Sequence, residues 1–314
     1  MTDRISPIIS VIVPVLNAGS FINDCVTSLI NQDFPKDQYE IIIVDNGSKD
    51  DTINRLTEYG NSITMLHESK KGSYIARNTG INTAKGEIIA FTDADCIADK
   101  NWLKELYIRF VSEDIGCVVG SVIPNPGESL VEIYSRNKKI LSQETVVDSR
   151  YLPYGQTANA AFRKEVFTKI GNFDERLMSG GDADISWRMQ IKTDYKLVYN
   201  PESIVEHHHR TTFKGLFKQQ FSYGFGRIWL YKKYGDHMKN YSDTNYDIRY
   251  NMSHSMKLML NIFVFYIRSF KRLLGFCDKY DMYEPLLSLL FVSGYVLGKM
   301  YGTVKLKKSF FSTL

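Results

Sequence analysis

Cysteine is scarce in this chain of 314 residues. The four that occur follow neither the spacing of a disulfide framework nor that of a metal site: Cys25, Cys96, Cys117 and Cys277. Both kinds of cysteine chemistry are thereby excluded, and we expect reduced thiols in a cytoplasmic protein.

Long hydrophobic runs are also lacking. Two uncharged apolar stretches, residues 258–267 and 285–298, hold ten and fourteen residues, short of the roughly 18 that a membrane-spanning helix needs. Asp3 and Arg4 lie just before the first apolar run, so we expect no cleavable signal. With 44% hydrophobic and 24% charged residues, the composition favours one large domain, alone or with a helical appendage.

Acidic residues are few in the last third of the chain. Residues 1–200 hold 22 Lys and Arg against 27 Asp and Glu, whereas residues 201–314 hold 17 against 8. Two interpretations of this basic region with its apolar stretches stay open. Its helices either lie on an anionic membrane surface, or they pack on the rest of the protein or form a homo-oligomer. We expect no nucleic-acid partner.

Alternating patterns fill the first hundred residues. Residues 8–13 and 40–44 are continuous apolar runs, typical of parallel strands buried on both faces. Apolar residues at helical spacing separate them, which predicts a βαβ unit. The same alternation of strands and helices continues after this unit and ends in a helix over residues 73–84 and a strand over residues 86–92. The chain is therefore expected to begin with a doubly wound α/β layer.

Carboxylates follow the predicted strands. Asp45 closes the second apolar run, and Asp93 and Asp95 come directly after the strand over residues 86–92. Open α/β sheets bind ligands at the carboxyl ends of their strands, and two nearby carboxylates can hold a hard divalent cation while leaving positions for phosphates. An isolated Asp-x-Asp is more often a turn or a solvated cap, so its placement is what favours a metal site.

Several segments, in a fixed order, resemble those of the family 2 glycosyltransferases. Four are similar to the family's nucleotide-binding segments: residues 11–17, 44–50, 76–80 and 91–96. Three more are similar to its acceptor region and catalytic loop: residues 157–163, 171–175 and 180–188. The resemblance implies the A-type glycosyltransferase fold, a doubly wound and mostly parallel α/β sheet with a C-terminal helical extension.

The resemblance also implies an order of domains. Residues 1–235 would form the catalytic domain, with nucleotide binding in residues 1–100 and acceptor binding and catalysis in residues 101–235. Residues 236–314 would form the basic helical region. Relatives of this type that act on lipid-linked acceptors favour attachment of that region to the inner face of the cell membrane.

The implied activity is a metal-dependent, inverting transfer of a sugar from a nucleoside-diphosphate sugar to a hydroxyl group. The acceptor would be a glycan or a lipid-linked glycan of cell-surface polysaccharide or glycolipid synthesis. Asp95 would bind Mn²⁺ or Mg²⁺ directly, and Asp93 would hold the ion through water or lie nearer the ribose. The ion stabilises the charge that grows on the departing diphosphate.

Residues 207–210 carry three histidines and an arginine. His207 is our choice for a further metal ligand, and an imidazole suits Mn²⁺ better than Mg²⁺. Alternation along an extended chain would place His207 and His209 on one side and His208 on the other. His209 or Arg210 would then contact the diphosphate. The competing interpretation is a solvated polar loop.

The remaining donor contacts come from the ends of the first two predicted strands and the start of the helix over residues 73–84. Asp45 would accept a hydrogen bond from a base imide, which favours uracil, and an Asx turn is a compatible explanation for the same residue. Arg77 would bind an anion or pair with Asp93 or Asp45. The other residues expected to contact the donor are Pro14, Val15, Asn17 and Gly72.

Asp182 is the predicted catalytic base, which would take the acceptor proton. Gly181 precedes it where the family commonly has an acidic residue, and this departure leaves the orientation of Asp182 open. Asp184 would orient Asp182, share its role or cap a helix over residues 185–190. Trp187 would stack on a sugar or belong to the core. Asp184, Trp187 and Arg188 are all counted with the donor-binding residues.

Two other classes of protein are alternatives to this activity: a nucleotidyltransferase and a non-catalytic nucleotide-sugar binding protein. A nucleotidyltransferase is expected to have a basic, glycine-rich loop after its first strand, and residues 14–19 contain no Lys or Arg. A non-catalytic nucleotide-sugar binding protein would not need Asp182. The sequence therefore favours the glycosyltransferase.

Overall fold

The computed structural model describes residues 6–149, 151–238 and 261–311, with side chains described up to residue 306. The chain divides into two compact units, residues 1–125 with 141–208 and residues 126–140 with 209–314. The predicted functional boundary at residue 235 falls inside a helix of the second unit.

The first half of the first unit alternates strands and helices. Its elements are β1 (Ile9–Val15), α1 (Ile22–Ile30), β2 (Tyr39–Asp45), α2 (Thr52–Thr57), β3 (Thr64–His67), α3 (Ser73–Thr83) and β4 (Ile88–Phe91), with a 3₁₀ turn at Gly60–Ser62. Strands β1, β2, β3 and β4 pair in parallel, and β1 and β2 are buried along nearly their whole length. Helix α3 lies so close to the sheet that a Cβ atom on Gly80 would come 2.5 Å from the side chain of Ile12.

The second half of this unit extends the sheet. It contributes β5 (Cys96–Ala98), α4 (Trp102–Tyr107), β6 (Ile115–Pro124), α6 (Glu144–Val147), β7 (Ala160–Arg163), α7 (Lys164–Ile170), α8 (Gly181–Lys192) and β8 (Lys196–His207). The eight strands run in the order β3-β2-β1-β4-β7-β6-β8-β5. Strand β7 is antiparallel to both β4 and β6, whereas β6 and β8 are parallel. The sheet is therefore mixed, and it continues past the doubly wound half.

Helix α8 differs from its sequence prediction. We expected a helix over residues 185–190, and the structure has one from Gly181 to Lys192. Asp182 and Asp184 consequently lie inside its first turn, and the residue at the N-cap is Gly180. The prediction that Asp184 caps the helix is therefore wrong. Gly181 is the first residue of the helix.

The second unit is helical. It contains α5 (Leu130–Asn137), α9 (Phe213–Met238), a helical segment α10 over residues 261–273, and α11 (Lys279–Phe311). Helices α9 and α11 meet through glycines: an added Cβ on Gly224 would come 2.0 Å from the carbonyl oxygen of Tyr295, and one on Gly298 would come 2.0 Å from that of Phe221. Helix α5 joins them through the hydroxyl groups of Tyr134 and Ser288, which are 3.1 Å apart.

Helix α11 corrects the expectation drawn from the second apolar stretch. Its segment Lys279–Leu306 is long and apolar enough to cross a membrane, with a mean hydropathy of 1.2. The uncharged run of residues 285–298 is too short to span a membrane. The helix is longer than this run because it continues through charged residues on both sides of it. Length and composition alone do not separate such a helix from a core helix of a soluble protein, and 22% of its apolar window is buried.

Candidate active site

The carboxyl ends of β1 and β2 lie side by side, since Val15 pairs with Asp45. Asp45 is buried, and its carboxylate accepts hydrogen bonds from the main-chain N–H groups of Gly47 and Ser48, each at 3.1 Å. His67 Nδ1 lies 3.2 Å from the same carboxylate. Burial alone would raise the pKa of Asp45, but these hydrogen bonds outweigh it and lower the pKa. The Asx turn that competed with base contact is thus present.

The loop after β1 is fastened to the loop after β2. Asn17 has a φ of 51°, in the left-handed region that asparagine tolerates better than most residues. Its side-chain oxygen accepts the N–H of Lys49 at 2.8 Å, and its own N–H donates to the Ser48 hydroxyl at 2.9 Å. Pro14 is partly exposed, whereas Val15 is buried in the sheet.

Asn46 is a site residue that the sequence analysis missed. Its amide donates to the carbonyls of Glu68 and Lys70 at 2.9 and 2.8 Å, and its oxygen accepts the N–H of Gly72 at 2.7 Å. Gly72, with a φ of 147°, is the N-cap of α3. Asn46 therefore fixes the position of the α3 amino end relative to β2. Its place directly after Asp45, at the end of a buried strand, was the available signal.

Arg77 and Asp93 form a buried ion pair. Arg77, from α3, is 4% exposed, and its Nη2 lies 2.5 Å from Asp93 Oδ1. Of the two alternatives for Arg77, pairing with Asp93 is the one present. Its Nε atom is buried and has no hydrogen-bond partner among the described residues. Arg77 therefore also retains a donor that suits an anion, and the two roles are compatible.

Asp95 and His207 are brought together by strand pairing. Cys96 of β5 is opposite His207 of β8, and the N–H of His208 donates to the carbonyl of Asp95 at 2.9 Å. As a result, His207 Nε2 lies 3.6 Å from Asp95 Oδ1, and both side chains are largely buried. The ring of His208 faces Phe21 instead, with centroids 5.0 Å apart. His207 and His208 thus contact different groups, and the grouping of His207 with His209 stays a prediction.

A divalent cation fits this pair by its chemistry. One carboxylate and one imidazole are suitable ligands for Mn²⁺, and two protein ligands leave positions for diphosphate oxygens and water. Within the described parts of the chain, no group of three or more His, Cys, Asp or Glu side chains converges as a metal site. Asp93 is engaged with Arg77. His209 and Arg210 belong to the second unit, and their contact with the diphosphate stays a prediction.

Asp182 lies in the first turn of α8 and keeps partial solvent access. The Thr157 hydroxyl donates to Asp182 Oδ1 at 2.9 Å. Burial raises the pKa of Asp182 to about 6, although the Arg77 charge and the Thr157 hydrogen bond oppose this shift. Such a carboxylate is mostly ionised at pH 7 and holds a proton better than an ordinary aspartate, which is what a general base requires.

Three neighbours of Asp182 on α8 belong to the framework. Asp184 is fully buried, and its Oδ2 lies 2.9 Å from Nε of Arg188. Arg188 also donates to the carbonyls at the end of α7, those of residues 170–172. Trp187 is 2% exposed and donates to the carbonyl of Leu152 at 2.9 Å. These contacts favour the core alternative for Trp187 and a structural role for the ion pair.

The acidic residues lie at the carboxyl ends of the parallel strands, where open α/β sheets bind ligands. Comparison with known proteins identifies the family. The model of Glycosyl transferase family 2 matches residues 10–171. Glycosyltransferase AglE of Haloferax volcanii is 33% identical over 230 residues, which are 71% of this chain and 73% of that protein. The O-antigen chain rhamnosyltransferase WbaN of Salmonella anatum is 28% identical over 73% of this chain and 76% of its own length. The chain therefore belongs to glycosyl transferase family 2.

The fold is shared with a solved enzyme. The mannosyltransferase PcManGT from Pyrobaculum calidifontis, in complex with GDP-Man and Mn²⁺, superposes with a TM-score of 0.62. The match covers 95% of this chain and 88% of that one, at 16% sequence identity. The predicted A-type glycosyltransferase fold, with a mostly parallel sheet and a C-terminal helical region, is confirmed.

Proposed function

We propose that this glycosyltransferase moves a sugar, with inversion, from a UDP-linked donor to a hydroxyl group of a glycan or lipid-linked glycan. The observation that supports this most is the environment of Asp182. Its carboxylate receives the Thr157 hydroxyl, has a pKa of about 6 and feels the charge of Arg77, the partner of Asp93. Asp182 is thus linked electrostatically, through Arg77, to Asp93 at the end of β4.

In the reaction, Asp182 takes the proton of the acceptor hydroxyl. The oxygen of that hydroxyl forms a bond to the anomeric carbon while the bond from this carbon to the diphosphate breaks and the diphosphate leaves with the electron pair. The base acts on the face opposite the leaving group, so the configuration inverts. Thr157 orients Asp182 through the 2.9 Å hydrogen bond.

Asp95 and His207 are the residues that would hold Mn²⁺ or Mg²⁺, with Asp93 contributing through water. When bound, the ion offsets the negative charge that develops on the diphosphate. The presence of Mn²⁺ and GDP-Man in the PcManGT structure supports a divalent requirement and a nucleotide-sugar donor. The Arg77 Nε atom, which is buried without a hydrogen-bond partner among the described residues, would donate to the same anion.

The proposed preference for a uracil nucleotide is based on Asp45. Each oxygen of a carboxylate has room for two hydrogen bonds, so the Asx turn leaves acceptor capacity for a base imide. A panel of UDP, GDP and dTDP sugars with Mn²⁺ tests this by thermal stabilisation, because a ligand of the folded state raises the unfolding midpoint. Stabilisation by GDP sugars alone would refute the assignment of uracil.

The second unit supplies the proposed membrane contact, which would hold this cytoplasmic enzyme at the inner face of the membrane. Large apolar side chains between residues 262 and 276 are exposed, with Phe263 at 62%, Leu273 at 83% and Phe276 at 78%. Arg268, Lys271 and Arg272 lie in the same segment. Apolar groups beside cations suit an anionic lipid surface.

The protein should float with anionic vesicles at low salt and less so as salt rises. A protein that stays in solution at low salt, or sediments as a dimer, would favour packing or oligomerisation instead.

Release of nucleoside diphosphate from the donor separates the rival classes. A glycosyltransferase should release it slowly with metal alone and faster with acceptor. A non-catalytic binding protein would be stabilised by the donor but release nothing. A nucleotidyltransferase would join a nucleoside triphosphate to a sugar phosphate and release pyrophosphate from the triphosphate.

A further inference from the structure

The first residue of α8 lies against the ring of a tyrosine from α3. A Cβ atom on Gly181 would come within 2.6 to 2.8 Å of three ring carbons of Tyr74. Such distances are not tolerated without movement, and Tyr74 is itself buried and stacked on Phe173, with centroids 5.4 Å apart. Only glycine therefore fits before Asp182 while Tyr74 keeps this position.

The hydroxyl of Tyr74 also satisfies the start of α8. The first N–H groups of a helix have no partner within it, and the N-cap residue here, Gly180, has no side chain to accept them. The buried N–H of Gly181 donates to the Tyr74 hydroxyl at 2.9 Å. A side chain 107 residues away along the chain thus does what a capping side chain ordinarily does.

The same ring contacts the arginine of the donor side. The Arg77 guanidinium lies over the Tyr74 ring, 5.5 Å from its centroid, and pairs with Asp93. Tyr74 therefore touches both the residue before Asp182 and the arginine beside Asp93. Burial raises the pKa of Tyr74 well above its usual value, so the hydroxyl stays neutral and available as an acceptor.

We infer that Tyr74 is a positioning residue for Asp182: its hydroxyl and ring fix the first turn of α8 so that the carboxylate remains in place to receive the acceptor proton. The inference rests on the proposed function, since it takes Asp182 as the base. It also accounts for Gly181, because the Tyr74 ring occupies the space that a side chain at that position would need.

Tyr74→Phe is the first test, with Tyr39→Phe as the matched control. Tyr39 also hydrogen-bonds to main chain of the first unit, through the carbonyls of Leu29 and Ile30 at the end of α1. Loss of one hydrogen bond predicts a fall in kcat of about 2- to 10-fold for Tyr74→Phe, with the donor KM unchanged. The control should keep kcat at the wild-type value.

A double variant shows whether Tyr74 acts through the base. In the Asp182→Asn background, Tyr74→Phe should cause no further loss of kcat, because the group it positions is gone. A merely structural role predicts an equal loss in both backgrounds. That result, or an unchanged kcat in the single variant, would overturn the inference.

Gly181→Ala tests the steric half. It should lower kcat about tenfold or more, and a second change, Tyr74→Leu, should restore part of the loss by removing the ring. No rescue, in folded protein, would show that the contact is not the cause. Should Gly181→Ala fail to fold, the Tyr74→Phe cycle still decides. Absence of transfer by the wild type with every donor defeats the proposed function itself, whereas transfer that needs Asp182 but ignores Tyr74 defeats only this inference.

Discussion

The tripeptide Asp-Ala-Asp occurs at two places in the site, after β4 and in the first turn of α8. In each, one aspartate pairs with a buried arginine: Asp93 with Arg77 and Asp184 with Arg188. The other aspartate faces a group with a chemical use, His207 for Asp95 and the Thr157 hydroxyl for Asp182. The two tripeptides differ in which aspartate pairs with the arginine: it is the first, Asp93, after β4, and the second, Asp184, in α8. The same spacing therefore places a different aspartate of each tripeptide beside an arginine.

The largest effect is expected at Asp95. Asp95→Asn should lose nearly all transfer and should abolish the added thermal stability that Mn²⁺ gives in the presence of nucleoside diphosphate, because an amide is a poor replacement for an anionic metal ligand. Circular dichroism should show normal folding. Full wild-type activity in EDTA would contradict the assignment of Asp95 as a metal ligand.

Asp182→Asn comes next. Transfer should fall by on the order of 10²–10⁴, the usual contribution of a positioned general base, while donor affinity measured by calorimetry stays near the wild-type value. Equal loss of donor binding would mean that this segment holds the nucleotide sugar and that the base lies elsewhere.

Asp184→Asn is the matched change at the other aspartate of α8. It leaves the buried Arg188 without its anionic partner, so the free energy of unfolding should drop by about 3 kcal/mol in denaturant titration. Below its unfolding midpoint, the variant should retain most of its transfer activity. If Asp184→Asn abolishes transfer and Asp182→Asn does not, the base has been assigned to the wrong carboxylate.

The smallest effects are those of pH. Transfer under kcat/KM conditions should fall as the pH drops below about 6, because protonated Asp182 cannot accept a proton. The folded state binds this proton more tightly than the unfolded state, so the Asp182 contribution to stability is favourable at low pH and is lost as the pH rises from about 4 to about 6. Asp182→Asn should therefore raise the unfolding midpoint at pH 7.5 relative to wild type, with little change at pH 4. A transfer profile without this acidic limb would argue against the base.

Much of the fold could be predicted from the sequence because its signals are local. The apolar runs that form β1 and β2 are continuous, Asp45 ends β2, and Asp93 comes shortly after β4, as expected. The start of α8 could not be predicted, since the Tyr74 hydroxyl that satisfies its first N–H comes from a distant helix. The partner of Asp184 was equally hidden: an acid four residues before an arginine is typical of exposed helix surfaces, and its burial depends on carbonyls of another helix end.

Strand β5 is three residues long. Its pairing with β8 nevertheless holds the backbones of Asp95 and His207, the proposed metal ligands, next to each other before any ligand binds. The main-chain pairing of β5 with β8 holds the backbones of Asp95 and His207 in register, and both side chains, 3.6 Å apart, are largely buried, which limits the rotamers that they can adopt. The conformational entropy of this half of the site is thus lost during folding and not again at each binding event. An ion and a diphosphate that bind as proposed would therefore meet a preorganised pair of ligands.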